Sequence, residues 1–315
     1  MSQDKYRLVT RADFDGVVCG TLFNELGMID DVSFAEPKEM QDGAFPVGAG
    51  DISANLPFVE GVHLCFDHHV SEVERVGDRD NHVIDANAPS AARVVYNHYG
   101  GASAFPDIPE DLMRAVDKAD SAQYSEEEIL VPEDWTLLNF VLDARTGLDR
   151  SAEYSVPTDR LMVDLMTYCR HNPIDEILAL PEIAERVNTY VYQKEFAELQ
   201  LLRCGNMQGH SVVVDFRDEP QVYTVNRFMV YALFPTAQVS VTVQGLADSD
   251  LMEIAVGRSI LDRSSRVNIG SLLLEFGGGG HSVAGTCRLP DSDVDAAVSE
   301  IVSRIDDAVD IEIRP

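Results

Sequence analysis

The chain has 315 residues, of which 45% are apolar and 25% charged, a balance typical of a globular protein with room for two domains. It has no apolar run near the roughly 18 residues that cross a bilayer, no signal-peptide pattern and no CxxC pair, so we expect a cytoplasmic protein without a membrane partner, a disulfide framework or a zinc knuckle. The net charge of −30 disfavours long duplex DNA as a partner, because affinity for nucleic acid comes largely from Lys and Arg on phosphate.

The first half of the chain alternates between short apolar runs and helical patterns. Strands are predicted at residues 6–10, 32–37, 45–50 and 62–66, and helices from 16 to 26 and from 88 to 101. Strands separated by helices predict an α/β domain with a mostly parallel sheet covered on both faces. Functional sites in such sheets lie beyond the carboxyl ends of the strands.

A long helical pattern over residues 181–203 separates this half from a second set of elements. Strands are predicted there at 210–216, 238–243 and 252–257, and helices near 267–276 and 291–309. We therefore predict two domains, at 1–180 and 205–315, joined by a connecting helix at 181–204. The second would be a smaller α/β domain.

Acidic residues follow several of the predicted strands. In RADFDG, Asp13 and Asp15 can face one side of an extended turn, and two converging carboxylates repel unless a cation lies between them. A helix cap explains the same pattern equally well. Asp51, in a glycine-flanked loop, is either an ordinary turn aspartate or a ligand. Asp120 follows a helix that also carries Asp117, and of these two Asp120 is the better ligand candidate.

The run FDHHV places Asp67, His68 and His69 directly after an apolar strand. Adjacent side chains of an extended segment point to opposite sides, so the two histidines are expected to do different work. One can bind a metal through a neutral ring nitrogen while the other faces a substrate. Asp67 is then either a ligand or the group that orients an imidazole. A surface histidine pair is the alternative.

Four glycines, including Gly278, Gly279 and Gly280, precede His281. Such a run costs backbone entropy, so it makes sense where the backbone must approach something closely. N–H groups that cradle a phosphate would be one example. A flexible linker is the alternative, but an apolar helix precedes the run and a strand-like segment follows it.

Taken in order, these motifs resemble the DHH phosphoesterase family, which includes RecJ-like nucleases, nanoRNA phosphatases and cyclic-dinucleotide phosphodiesterases. The surroundings resemble the exopolyphosphatase-related subgroup. The resemblance implies a DHH domain followed by a DHH-associated domain, with a metal-activated water attacking phosphorus between them. It implies one or two divalent ions, with manganese preferred and magnesium as the alternative, bound by Asp13, Asp15, Asp51, Asp67, His68 and Asp120.

The same resemblance implies that His69, Arg258 and His281 hold the phosphoryl oxygens and offset the developing charge. It also places substrate contacts at Asn226 and Arg227. The residues themselves add Arg11 as a cation for the phosphate and Gly278, Gly279 and Gly280 as N–H donors to it.

One position departs from the family pattern. Most members carry a histidine ligand four residues before the first acid, and this chain has Val9 there. Arg11 cannot replace the missing ligand, because its guanidinium stays protonated. Either the first metal site is weak, or a single ion acts with Arg11 supplying positive charge to the phosphate.

The function expected is metal-dependent hydrolysis of a small phosphorylated substrate: a short single-stranded oligonucleotide, a nucleotide bisphosphate or a cyclic dinucleotide. The alternatives are a non-catalytic nucleotide- or polyphosphate-binding protein and an exopolyphosphatase. Four lysines in the whole chain disfavour the basic channel that a polyphosphate would need. Association into a homodimer is left open.

Overall fold

The computed structural model describes residues 5–246 and 249–313, which form two compact units. The first comprises Met1–Gln123 with Pro132–Thr189, and the second comprises Tyr124–Val131 with Tyr190–Pro315. The division falls within one long helix, and the domain limits named above stay a prediction. Across the described ranges, no helix combines the length and the apolar character that a bilayer span needs.

A five-stranded, fully parallel sheet forms the centre of the first unit. Its strands follow the order β2-β1-β3-β4-β5 and comprise β1 (Tyr6–Thr10), β2 (Ile29–Phe34), β3 (Asp51–Ala54), β4 (Leu64–Asp67) and β5 (His82–Ile84). Thr10, the last residue of β1, pairs with Ala54, which in turn pairs with Phe66 of β4. The carboxyl ends of the three central strands therefore lie at one edge of the sheet.

The α-helices follow one another along the chain. They are α1 (Phe14–Glu25), α2 (Pro37–Gln41), α3 (Val70–Val76), α4 (Ala91–His98), α5 (Glu110–Asp120), α6 (Glu126–Leu130), α7 (Asp134–Leu142), α8 (Leu148–Ser151), α9 (Thr158–Tyr168), α10 (Ile174–Leu178), α11 (Pro181–Cys204), α12 (Met229–Leu233), α13 (Ile269–Leu274) and α14 (Asp291–Ile313). Except for α6, those before α11 belong to the first unit. Helix α1 packs closely on α9, because a Cβ at Gly20 would lie only 2.2 Å from the Met166 sulfur.

One predicted strand was wrong. Residues 45–50 are irregular, and the strand runs over Asp51–Ala54 instead. Pro46 has no N–H to donate to a sheet, and Gly48 and Gly50 favour turns, so this stretch cannot form the central strand β3. The other predicted strands and the long helix are present, with ends shifted by a few residues.

The second unit contains a six-stranded mixed sheet in the order β10-β11-β9-β8-β7-β6. Its strands are β6 (Gly205–Gln208), β7 (Ser211–Asp215), β8 (Val239–Gly245), β9 (Leu251–Arg258), β10 (Gly279–Gly280) and β11 (Ala284–Pro290). Only β7 and β8 pair in parallel within the described part of this sheet. Alternate residues of β8 and β9, such as Val241 and Ile254, form a core with α13 and α14.

Arg217 is the centre of a charge cluster in this unit. Its guanidinium lies 2.7 Å from Asp215, 3.1 Å from Asp291 and 2.6 Å from Asp295, so it links the end of β7 to α14. Burial opposes the ionisation of Asp215, but its hydrogen bonds to Arg217 outweigh that effect and hold its pKa below the ordinary value.

We predict that Arg217→Met lowers the free energy of unfolding by about 1 kcal/mol at neutral pH, because three acids lose their common cation. A group with a depressed pKa stabilises the fold above its unfolded pKa. The difference should therefore disappear as the pH falls through the folded pKa of Asp215. Calorimetric unfolding of both proteins from pH 7 downward measures this difference in stability. Arg288→Met is the control, because Arg288 lies 3.5 Å from its acid partner, Glu253. A difference independent of pH would contradict the prediction.

Candidate metal centre

Three central strands of the first unit end in polar residues at the same edge. Asp13 follows β1, Asn55 follows β3, and Asp67 is the last residue of β4. Asn55 is 1% exposed and has a φ of 57°, a left-handed conformation that asparagine tolerates better than most residues. The parallel register brings these side chains together beyond the sheet.

Asp13 and Asp15 lie at the start of α1 but have different partners. Asp13 caps the helix by accepting the Gly16 N–H at 3.0 Å. Asp15 is buried and accepts the N–H groups of Ala91 (2.9 Å) and Ala92 (2.8 Å), which begin α4. The positive end of α4 therefore holds the Asp15 carboxylate in place. Sequence reasoning missed this contact, because the two segments are far apart in the chain.

Asp67 is fully buried and organises the histidine pair. Its Oδ1 accepts the backbone N–H groups of His68 at 2.7 Å and His69 at 3.2 Å. The same oxygen lies 2.6 Å from Nδ1 of His69, which must carry the proton because the carboxylate only accepts. Asp67 therefore orients the histidine pair through Oδ1, while its buried Oδ2 has no hydrogen-bond partner.

His68 faces two acids. Its Nδ1 lies 3.2 Å from the Ala88 carbonyl, which leaves Nε2 as the ligand atom. That Nε2 lies 3.1 Å from Asp120 Oδ2, without hydrogen-bond alignment. Burial lowers the pKa of His68, but contact with Asp120 and the charges of Asp120 and Asp15 outweigh it and raise the pKa to about 9. Burial and the Asp120 charge likewise raise the pKa of Asp15 to about 7.

The residues present fit one divalent ion. Three ligand atoms lie within 4.8 Å of one another, one each from Asp15, His68 and Asp120. Among the described residues, this is the single group of this kind. Three buried polar atoms at this edge, Asn55 Oδ1, Asp67 Oδ2 and His68 Nε2, have no hydrogen-bond partner. Buried polar atoms normally have partners, so these three indicate a site for a ligand or an ion.

Asp51 does not belong to this group, so the expectation that it is a metal ligand is wrong. It begins β3, opposite Arg7 of β1, and so lies at the amino end of the strand. Its carboxylate lies 2.8 Å from Arg7 and accepts the Gly48 N–H at 2.7 Å. Asn55 stands at the carboxyl end instead. Placing the strand on DISA would have identified it.

Two guanidinium groups act on Asp13. Arg11 Nη1 lies 3.4 Å from Asp13 Oδ2. Arg145 is held by Asp143 at 2.7 Å. Desolvation acts to lower the pKa of Arg145, yet the charges of Asp143, Asp13 and Asp120 hold it above its ordinary value. Arg145 therefore pairs with Asp143 and also feels the charges of two acids at the carboxyl edge.

In the second unit, Asn226 does not have a free amide. Its Nδ2 donates to the Ile129 carbonyl at 3.1 Å and to the Tyr190 hydroxyl at 2.9 Å, and its Oδ1 accepts the Phe228 N–H at 3.1 Å. Asn226 thus holds α6 and α11 to the turn before α12. Because its amide is used in these contacts, the prediction that it contacts substrate is wrong.

The other cationic candidates of this unit lie at its surface or at strand ends. Arg227 is exposed, with its guanidinium 4.4 Å from the centre of the Phe228 ring. Arg258 ends β9 and His281, which is exposed, follows β10. Their expected contacts with phosphate stay predictions.

The glycine run packs against the protein's own backbone. The Gly278 N–H donates to the Leu273 carbonyl at 2.9 Å, so it cannot cradle a phosphate. Gly279 and Gly280 form β10 and pair with Thr286 and Gly285. The close approach inferred from the sequence is correct, but the Gly278 N–H faces α13 rather than a ligand.

We predict that Gly280→Ala destabilises the protein by more than about 1 kcal/mol. Its φ is 151°, and an added Cβ would lie 2.4 Å from both the Ala284 oxygen and the Gly285 Cα. Gly279→Ala is the matched control, because its Cβ would meet only Leu274, at 3.8 Å. Thermal unfolding compares the two variants. Equal stabilities would show that β10 can shift without cost.

We predict that Asp120→Asn lowers the affinity for Mn²⁺ at least about tenfold, because a neutral amide replaces one of three ligands. Asp120 has few structural contacts, so the variant should fold. Calorimetric titration of the metal-free protein measures the affinity, with the exposed Asp107→Asn as the control. An unchanged affinity in the folded variant would exclude Asp120 as a ligand.

Comparison with known proteins shows a strong similarity to a solved structure. No family model and no curated protein matches the chain. Among solved structures, it is 45% identical to the pGpG-specific phosphodiesterase PggH from Vibrio cholerae, over 96% of this chain and 100% of that one, with a TM-score of 0.86.

Two distant structures share the fold alone. RecJ from Thermus thermophilus, solved with Mn²⁺, is 13% identical over 96% of this chain and 52% of its own, with a TM-score of 0.52. CDC45 from Entamoeba histolytica is 9% identical over 95% of both chains, also with a TM-score of 0.52.

Proposed function

The chain belongs to the DHH phosphoesterase family, and from that premise we propose that it is a metal-dependent phosphodiesterase that cleaves a short linear dinucleotide such as pGpG. One observation carries the chemistry: the ligand atoms of Asp15, His68 and Asp120 converge within 4.8 Å at the carboxyl edge of a parallel sheet. The 45% identity to a pGpG-specific enzyme supports the substrate class.

Asp15, His68 and Asp120 would hold the ion. Oxygen and imidazole ligands suit manganese, with magnesium as the alternative, better than they suit zinc, which is commonly bound through sulfur. When bound, such an ion acidifies a water and neutralises charge on phosphoryl oxygens. The Ala91 and Ala92 N–H groups keep the Asp15 carboxylate aimed, and the Ala88 carbonyl fixes the His68 ring.

His69 is the side chain best placed to contact the substrate. Its Nδ1 is fixed by buried Asp67, while the ring stays 38% exposed. Nε2 therefore points away from Asp67 and can donate to a phosphoryl oxygen when the ring is protonated. Arg11, with a side chain 30% exposed, supplies a second cationic donor at the same edge.

The charge of the chain favours a short substrate. With a net charge of −30, the surface repels a long polyanion along most of its length. A dinucleotide needs only a few local cations, and Arg11 and Arg145 supply two beside the acids.

We predict that the protein with Mn²⁺ converts pGpG to two molecules of GMP, and that removing the ion with EDTA abolishes turnover. A linear oligonucleotide of about 20 residues and a duplex should be turned over far more slowly, because the acidic surface repels them. Chromatography of the products measures each rate under the same ionic strength.

His69→Asn should lower kcat about 100-fold or more, because the imidazole that would contact the phosphoryl oxygen is lost. Arg160→Met, at an exposed helix position, is the control. Tight binding of pGpG without turnover by the Mn²⁺-loaded protein would instead favour the non-catalytic binding protein.

A further inference from the structure

The surroundings of Asp13 differ from those of the other acids at the carboxyl edge. Its Oδ1 accepts the Gly16 N–H at 3.0 Å and the Asn55 amide at 3.2 Å. Its Oδ2 lies 3.4 Å from both the Arg11 guanidinium and the same Asn55 amide. Protein donors therefore already contact both oxygens of Asp13, at positions that a metal ion would otherwise compete for.

Two positions beside Asp13, Val9 and Asn55, carry neither a carboxylate nor an imidazole. Val9, where the family usually carries a histidine, is fully buried and packs with Ala35, Met40 and Leu56. Asn55 stands at the carboxyl end of β3, where its amide N–H points at Asp13. Turning that amide would set two oxygens against each other, so the carboxylate selects the donor orientation.

Positive charge is supplied by the chain itself. Arg11 is in ion-pair distance of Asp13, and the charge of Arg145 acts on the same carboxylate. Two guanidinium groups carry the charge of one divalent ion, and a guanidinium also matches phosphate geometry. The positive charge that acts on Asp13 thus comes from groups that can contact phosphate directly.

We propose that the centre binds one divalent ion, at Asp15, His68 and Asp120, and that Arg11 replaces a second ion beside Asp13 by binding a phosphoryl oxygen of the substrate. The role of Arg11 toward substrate rests on the proposed function, whereas the number of bound ions is independent of the substrate.

The ion count is tested with Mn²⁺ alone. Calorimetric titration and elemental analysis of the metal-free full-length chain should give one ion per chain. Electron paramagnetic resonance should show an isolated Mn²⁺ rather than an exchange-coupled pair. Two ions per wild-type chain, or a coupled spectrum, would overturn the proposal.

A pair of isosteric variants tests where the ion lies. Asp120→Asn should lower Mn²⁺ affinity at least about tenfold, while Asp13→Asn should change it less than about threefold. Asparagine is a good helix N-cap, so the second variant keeps the structural role of Asp13. Loss of the ion in Asp13→Asn to the same extent as in Asp120→Asn would show that Asp13 is a ligand and overturn the placement.

Arg11→Met tests the phosphate contact. It should raise the KM for pGpG about 10- to 100-fold, the range expected for losing a charge-assisted hydrogen bond, and leave Mn²⁺ affinity unchanged. Arg11→Lys should bring the KM part of the way back toward the wild-type value. Arg160→Met, the control, should have the KM and kcat of the wild-type protein. Unchanged KM and kcat in Arg11→Met would overturn the role of Arg11. Absence of pGpG turnover in wild type with one tightly bound Mn²⁺ would count against the proposed function and still support the ion count.

Discussion

The convergence of carboxylates at one edge of a parallel sheet is the constraint on which the rest of the centre depends. Burial raises the pKa values of Asp13 and Asp15, and the charge of Asp120 nearby raises both further. Without groups that offset their negative charge, these carboxylates would destabilise the first unit. Each acid has a different counterpart: helix N–H groups for Asp15, an imidazole for Asp120 and an amide with a guanidinium for Asp13.

These counterparts come from backbone geometry as much as from side chains. The first turn of α4 aims two N–H groups at Asp15, and the turn after β4 aims two at Asp67. Gly16 allows the turn into α1, since an added Cβ would lie 2.1 Å from the Arg11 carbonyl oxygen. In the second unit, Gly270 approaches Gly280 nearly as closely, since an added Cβ would lie 2.4 Å from the Gly280 carbonyl oxygen. In both units, these glycines lie where two backbone segments are too close for a side chain to fit between them.

Much of this architecture could be predicted from the sequence, because strand and helix periods are local signals. Runs such as YRLVT and the Ser90 cap of α4 predict their elements directly. The roles of Asp15 and Asn226 could not be predicted in this way. Asp15 is held by residues 76 and 77 positions away, and Asn226 bonds to a carbonyl 97 positions away. Such partners are set by tertiary packing, which a single sequence does not reveal.

The error that mattered most was a shift in one strand. Placing β3 at 45–50 made Asp51 the residue that follows its carboxyl end and so a ligand candidate. With β3 at Asp51–Ala54, the residue that follows the carboxyl end of the strand is Asn55, which offers an amide there instead of a carboxylate. Together with Val9, the change removes two anionic or imidazole ligands from the Asp13 side and none from the His68 side. The register of one short strand thus decides whether the centre has ligands for two ions or for one.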